Sequence, residues 1–233
     1  MQYEYLIFNL LVISGPLLFG FFRSFYFVDK WLPAAGSIIL VGIPYIIWDA
    51  LVTGRHWTFN ASYVTGTYIS GLPVEEWLFF ITVPFACLFS WEMITLYARD
   101  RTFEGMRRLR PYLYLLPAAG VLIFSRGLEY TGLVLIFIGI AVFADQFLRT
   151  DLLLSRRFYI YLGLIVFFTL VFNGYLTARP VVLYGETYQL GWRIITIPVE
   201  DFGYGIALLF LNTSIFIKLR QSRFARLVML THI

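Results

Sequence analysis

Four carboxylates stand in two copies of one short word. Pro73-Val74-Glu75-Glu76 and Pro198-Val199-Glu200-Asp201 each open an apolar stretch, 125 positions apart. The same offset, without a gap, superposes Tyr63 on Tyr188, Gly66 on Gly191 and Ile69 on Ile194. Adjacent acids at a helix start have a plain structural role: proline suits the first turn, and carboxylates there offset the helix dipole. Recurrence at equivalent places in a chain poor in charge points further, because charge at membrane depth is costly and marks function. The chemistry that suits is general acid–base. Adjacent carboxylates repel, so a proton is shared between them. A carboxylic acid kept protonated among aromatic rings can protonate a carbon–carbon double bond, and a second carboxylate can stabilise the cation or take a proton back.

Other polar residues fall at the same depth. Asp49 and Asn173 close the helices that precede the two words, and each should face the acid pair of its own half. Aromatic faces stabilise cations, and 20% of the chain is aromatic. Trp48, Trp57, Phe59, Tyr63, Trp77, Tyr184, Tyr188 and Trp192 lie close to the acids in sequence. They are candidates for lining a substrate site, although an interfacial aromatic belt would use the same residues. Glu92 lies 17 residues beyond Glu75, about 25 Å along one helix, near the far interface. Asp145 reads as an interface charge, and Asn212 as a helix–helix hydrogen bond.

The elements that must position these groups belong to a membrane. The chain has 233 residues, 60% of them hydrophobic and 14% charged, against about a quarter charged in a soluble domain. Its mean hydropathy is +0.77. Seven apolar runs approach the ~20 residues that a crossing helix needs. They are Tyr5–Phe22, Leu32–Ala50, Pro73–Tyr97, Tyr112–Phe124, Tyr130–Leu148, Phe158–Tyr175 and Pro198–Ile217. With seven crossings, 14 of the 18 basic residues fall on one side, which puts the N-terminus outside and the C-terminus in the cytoplasm. The expected fold is therefore an all-α integral membrane protein of the cell (inner or plasma) membrane. Two parallel three-helix repeats (helices 1–3 and 5–7) are joined by helix 4. This is a single transmembrane domain over 1–233: half one 1–100, linking helix 101–127, half two 128–233. The first apolar run reads as a retained helix, since no basic region precedes it.

Several function classes drop out. The net charge of +4 arises between apolar runs, so no nucleic-acid partner is implied. Cys87 is the only cysteine, and His56 and His232 are far apart, so neither a disulfide nor a metal site is expected. No G-x-G-x-x-G or P-loop occurs, and no cofactor is expected. The lysines, Lys30 and Lys218, are not mid-membrane, as a retinal protein would require.

Taken together, certain stretches resemble the small membrane-bound carotenoid cyclases, the lycopene cyclase domain proteins. They are Trp48-Asp49, Trp57-Thr58-Phe59-Asn60, Leu72-Pro73-Val74-Glu75-Glu76 with Phe79-Phe80, and Pro84-x-x-Cys87-x-Phe89-x-Trp91-Glu92. In the second half they are Asn173-Gly174-Tyr175-Leu176-Thr177, Arg179-Pro180-Val181-Val182-Leu183-Tyr184 and Ile197-Pro198-Val199-Glu200-Asp201-Phe202. The resemblance covers nearly the whole chain and is to the fused, two-part form of a family that also occurs as two subunits. It implies redox-neutral cyclisation of lycopene ends, with Glu75, Glu76, Glu200 and Asp201 as catalytic groups. Asp49, Asn173 and Glu92 would support them. The expected activity is a lycopene cyclase (an intramolecular lyase or isomerase) forming β-rings from a linear carotenoid that enters from the lipid bilayer. The alternatives are a cyclase of C50 carotenoids, a carotenoid hydratase or a proton-coupled transporter. A homo-oligomer stays open.

Overall fold

A computed structural model describes residues 2–222; Arg223, Arg226 and His232 lie outside them. The described residues form helices α1 (Glu4–Gly20), α2 (Trp31–Val52), α3 (Val74–Tyr97), α4 (Glu104–Leu113), α5 (Leu116–Ser125) and α6 (Glu129–Phe147). Helix α7 (Arg156–Phe168) continues through a π-turn at Thr169–Asn173 into α8 (Gly174–Ala178), and α9 (Val199–Gln221) follows. Apolar side chains cover every face of the long helices, the pattern of helices that have no water side.

Five stretches are long and apolar enough to cross a membrane: Val28–Val52, Val74–Tyr97, Glu129–Phe147, Arg156–Ala178 and Val199–Gln221. Helix α1 is apolar but has 17 residues. The run expected to be one helix over Tyr112–Phe124 is broken. Helix α4 stops at Leu113 and α5 starts at Leu116, because Pro117 in the first turn of α5 has no N–H to continue the ladder from α4 and its ring crowds the Leu113 carbonyl. Helix α5 has 10 residues, about 15 Å, and lies against α6 through glycines. A Cβ on Gly120 would come within 2.5 Å of the Gly132 carbonyl oxygen. Gly120→Ala must therefore prise α5 from α6, and a loss of about 1–3 kcal/mol is expected. Thermal unfolding of the detergent-solubilised protein checks this, and an unchanged midpoint would sink it.

Elements recur at one spacing. Starts at Glu4 and Glu129, Trp31 and Arg156, Trp57 and Val182, and Val74 and Val199 are each 125 positions apart. Between α2 and α3 lie strands β1 (Trp57–Phe59), β2 (Tyr68–Ile69) and β3 (Leu72–Pro73). Between α8 and α9 lie β4 (Val182–Tyr184), β5 (Arg193–Ile194) and β6 (Ile197–Pro198). Strands β2–β3 and β5–β6 form tight antiparallel hairpins, with Tyr68 opposite Pro73 and Arg193 opposite Pro198. Ser70 and Gly71 take positive φ at the first turn, as a two-residue hairpin requires. Strands β1 and β4 pair with each other, Trp57 opposite Tyr184, which stitches the two halves of the chain together. Ion pairs Arg179–Glu4 (2.8 Å) and Arg55–Glu129 (3.2 Å) do the same.

At the other end of the bundle, buried Glu92 pairs with Lys30 and Arg220. Asp145, expected as an interface charge, is fully buried. Its carboxylate accepts the Leu152 N–H (2.7 Å), the Thr150 hydroxyl (2.7 Å) and Arg110 (3.3 Å), and so fixes the turn into α7. Asn212 is buried, but its amide makes no hydrogen bond, contrary to the helix–helix bond expected for it.

Candidate active site

Each hairpin delivers its proline as the residue before a helix, so the acid words begin α3 and α9. Successive helix residues point about 100° apart, which sends the two carboxylates of each word in different directions. Glu75 turns to the loop above it and accepts the Thr65 N–H at 2.7 Å. Glu200 accepts the Leu190 N–H at 2.8 Å and the Thr131 hydroxyl at 2.6 Å. Neither lines the central cavity. Glu76 and Asp201 do, together with Asp49.

Three carboxylates thus meet in one space of about 110 Å³. A water needs roughly 10–15 Å³ measured this way, so the space takes the end of a hydrocarbon rather than a whole long chain. The three acids are held differently. Asp201 accepts three bonds: from Tyr130 (2.7 Å), Tyr184 (2.7 Å) and Asn173 (3.2 Å). Glu76 accepts one, from Tyr5 at 2.6 Å. Asp49 accepts Trp57 Nε1–H (2.6 Å) and the Thr53 hydroxyl (3.2 Å) through one oxygen, and its other oxygen has no such partner. The carboxyls of Asp49 and Glu76 line the same cavity. The place that Tyr184 holds beside Asp201 belongs in the first half to Phe59, which has no hydroxyl. Burial, with Asp201 beside it, pushes the Tyr184 hydroxyl well above its ordinary range, so it stays a donor.

Below the acids the walls are apolar. Phe79, Phe80, Val83 and Cys87 descend along α3, with Leu208 and Leu209 on α9 and Ile165 and Phe168 on α7. Cys87 lies 11 residues beyond Glu76, about 16 Å deeper. The result is an apolar tube with acids and tyrosines at one end. Such a site can deliver a proton to an alkene and hold the cation that forms among aromatic faces.

Among the aromatic residues expected here, Trp57, Phe59 and Tyr184 line the cavity. Trp48, Tyr63, Trp77, Tyr188 and Trp192 do not. Trp77 caps its own hairpin through the Ile69 carbonyl, Tyr63 lies under Arg179, and Tyr188 stacks on His56 at 4.3 Å. Trp192 is 72% exposed. Burial pulls His56 below its ordinary value, so the ring is neutral and its Nε2–H serves Glu129 at 2.9 Å. Asn173 and Asp49 sit beside the acids as their spacing predicts, whereas Glu92 is far from them.

Tyr5, Tyr130 and Tyr204 also line the cavity, and sequence reasoning passed over them. The signal was present: Glu4-Tyr5 and Glu129-Tyr130 are the same word at the same 125-residue offset as the acids. Among the described residues no group of three or more His, Cys, Asp or Glu side chains is arranged to hold a metal ion.

Compared with known proteins, the chain matches one family model, described as lycopene cyclase, over residues 2–94 and 129–219. No curated protein and no solved structure matches it.

Proposed function

This chain belongs to the lycopene cyclase family of carotenoid-cyclising enzymes, and we propose that it closes β-rings on linear carotenoid ends with Glu76 as the proton donor. One observation carries the reading: Asp49 and Glu76 from the first matched segment and Asp201 from the second face a single apolar cavity. Two carboxylates facing one apolar cavity repel when both are charged, which favours keeping one proton between them. Asp49 already accepts two donors and Glu76 one, which leaves the proton on Glu76.

Transfer of that proton to the terminal double bond of the substrate leaves a tertiary cation. The π-electrons of the C5–C6 double bond attack it, closing a six-membered ring and moving the positive charge to C5. Loss of the C6 proton then forms the ring double bond and gives the β type. Asp201, fixed by Tyr130, Tyr184 and Asn173, stabilises the cation and accepts that proton. One proton enters and one leaves, so product and substrate are isomers and no redox partner is consumed. Trp57, Phe59 and Tyr204 hold the reacting end, and Glu75 and Glu200 anchor the loops above it. The chain crosses the cell membrane seven times, with this site toward the outside. The matched segments act as two parallel repeats joined through α4 and α5.

Lycopene-producing bacteria grown in heavy water provide the test. Ringed product carrying one added deuterium per ring is expected. Unchanged lycopene in cells that insert the protein would overturn the reading, and product heavier by one water would indicate a hydratase. Glu75→Gln and Glu200→Gln keep the oxygen that accepts the loop N–H. Each should retain activity within about tenfold of the parent, far above the loss expected for a proton donor. A larger loss would return those residues to the chemistry.

A further inference from the structure

The step that quenches the C5 cation decides the kind of ring. C6, C4 and the methyl carbon on C5 all carry hydrogen, and loss of a proton from each gives a different ring double bond: β, ε or γ. Addition of the first proton needs no comparable aim, because only one carbon of the terminal double bond yields a tertiary cation when protonated. Selectivity therefore rests with the base, and a base that chooses among neighbouring hydrogens must be held still. Glu76 and Asp201 are held in keeping with these unequal demands. Glu76 accepts one bond, from Tyr5, and Phe59 stands at the position equivalent to Tyr184. Asp201 accepts three.

The two oxygens of Asp201 also differ. Oδ2 accepts the Tyr184 hydroxyl at 2.7 Å and the Asn173 amide at 3.2 Å. Oδ1 accepts only the Tyr130 hydroxyl, at 2.7 Å. A carboxylate oxygen offers about two lone-pair sites, so Oδ2 is filled and Oδ1 keeps one site. The donors to Oδ2 come from separate elements that are themselves tied down. Tyr184 lies on β4 opposite Trp57 of β1, and the Arg193 guanidinium stands 6.0 Å from its ring centroid. Asn173 ends the π-turn. Its carbonyl accepts the Thr177 hydroxyl at 2.8 Å, and that hydroxyl also meets Thr196 at 2.6 Å. Two charge-assisted bonds from separate elements resist rotation of the carboxylate about its Cβ–Cγ bond.

We infer that Tyr184 and Asn173 are positioning residues that set the ring type. By filling Oδ2 they leave the free lone pair of Oδ1 as the acceptor, and that lone pair takes the C6 proton. The C6–H electron pair becomes the C5–C6 π-bond and cancels the charge at C5. Without either donor Oδ2 gains a site, the carboxylate turns more freely, and hydrogens on C4 or the methyl carbon compete. The inference rests on the cyclase reading with Asp201 as the base.

Pigments from lycopene-producing bacteria that carry the full chain with Tyr184→Phe or Asn173→Leu test it, with ring types assigned by chromatography and proton NMR. Tyr130→Phe provides the contrast. The parent should make one ring type. Tyr184→Phe and Asn173→Leu should each raise other ring types to about a tenth of all rings or more, the scale of discrimination that a hydrogen bond to a charged group carries. Tyr130→Phe leaves Oδ2 filled, and should slow ring formation without mixing its products. A purely structural role would lower the yield and leave the ratio alone. One ring type from both Tyr184→Phe and Asn173→Leu therefore overturns the inference, and so does an equal mixture from Tyr130→Phe. Loss of every ring from both variants, in membranes that hold normal amounts of protein, also overturns it, since the donors would then serve the rate and not the choice. A parent that leaves lycopene untouched removes the cyclase reading and the inference with it, whereas a ring-forming parent with unmixed variants removes the inference alone.

Discussion

Bacteria that make lycopene and carry the Glu76→Gln protein should stay red. An amide of the same shape still accepts the Tyr5 hydroxyl, so the fold survives, but it has no proton to give an alkene. Loss of a general acid costs about 10²–10⁴ in rate, and ring formation should fall by that factor in membranes that hold normal amounts of protein. The effect is large because nothing else in the cavity replaces the group. Asp49 is engaged by Trp57 and Thr53, and Asp201 is held by three donors. Asp49→Asn should be milder, since it removes the partner that confines the proton to Glu76 and leaves the donor in place. A Glu76→Gln enzyme that keeps a tenth of its activity would move the acid elsewhere.

Asp201→Asn should fail almost as completely, although Glu76 is untouched. This result separates two views of a repeated chain. If each half built its own site, silencing one would leave about half of the activity. A single cavity shared by both halves predicts a loss of roughly 10² or more, because the base and the charge that stabilises the cation belong to the same turnover as the acid. Equal amounts of substrate converted by Glu76→Gln and by Asp201→Asn, each near one half of the parent, would refute the shared site. Both variants keep the side-chain volume, so thermal unfolding within a few degrees of the parent is expected alongside the lost rings.

Much of this arrangement was legible in the residues. The doubled Pro-Val-Glu word located the helix starts, the 125-residue offset aligned the elements, and the placement of Asp49 and Asn173 one helix earlier brought them to the acids. What was not legible followed from rotation and packing. Sequence treats Glu75 and Glu76 as equals, and only the helical turn between them decides that one faces the loop and the other the cavity. The aromatic residues nearest in sequence were poor guides, since Trp77 on the first turn of α3 bonds back to its hairpin and Trp192 beside β5 is exposed, while Tyr5 and Tyr130 arrive from helices far along the chain. The helix expected over Tyr112–Phe124 is interrupted: α4 ends at Leu113, Pro117 opens α5, and glycines at 120 and 132 let α5 pack on α6.

The segment between the two matched stretches has a consequence for assembly. Residues 95–128 connect the two matched stretches, whose side chains together line the cavity. A covalent connection of this length turns their encounter into an intramolecular event, at an effective concentration on the order of millimolar. Weak adhesion between the halves is then enough. The surface between them need not be closely packed throughout, because the tether keeps the halves in equal number and within reach.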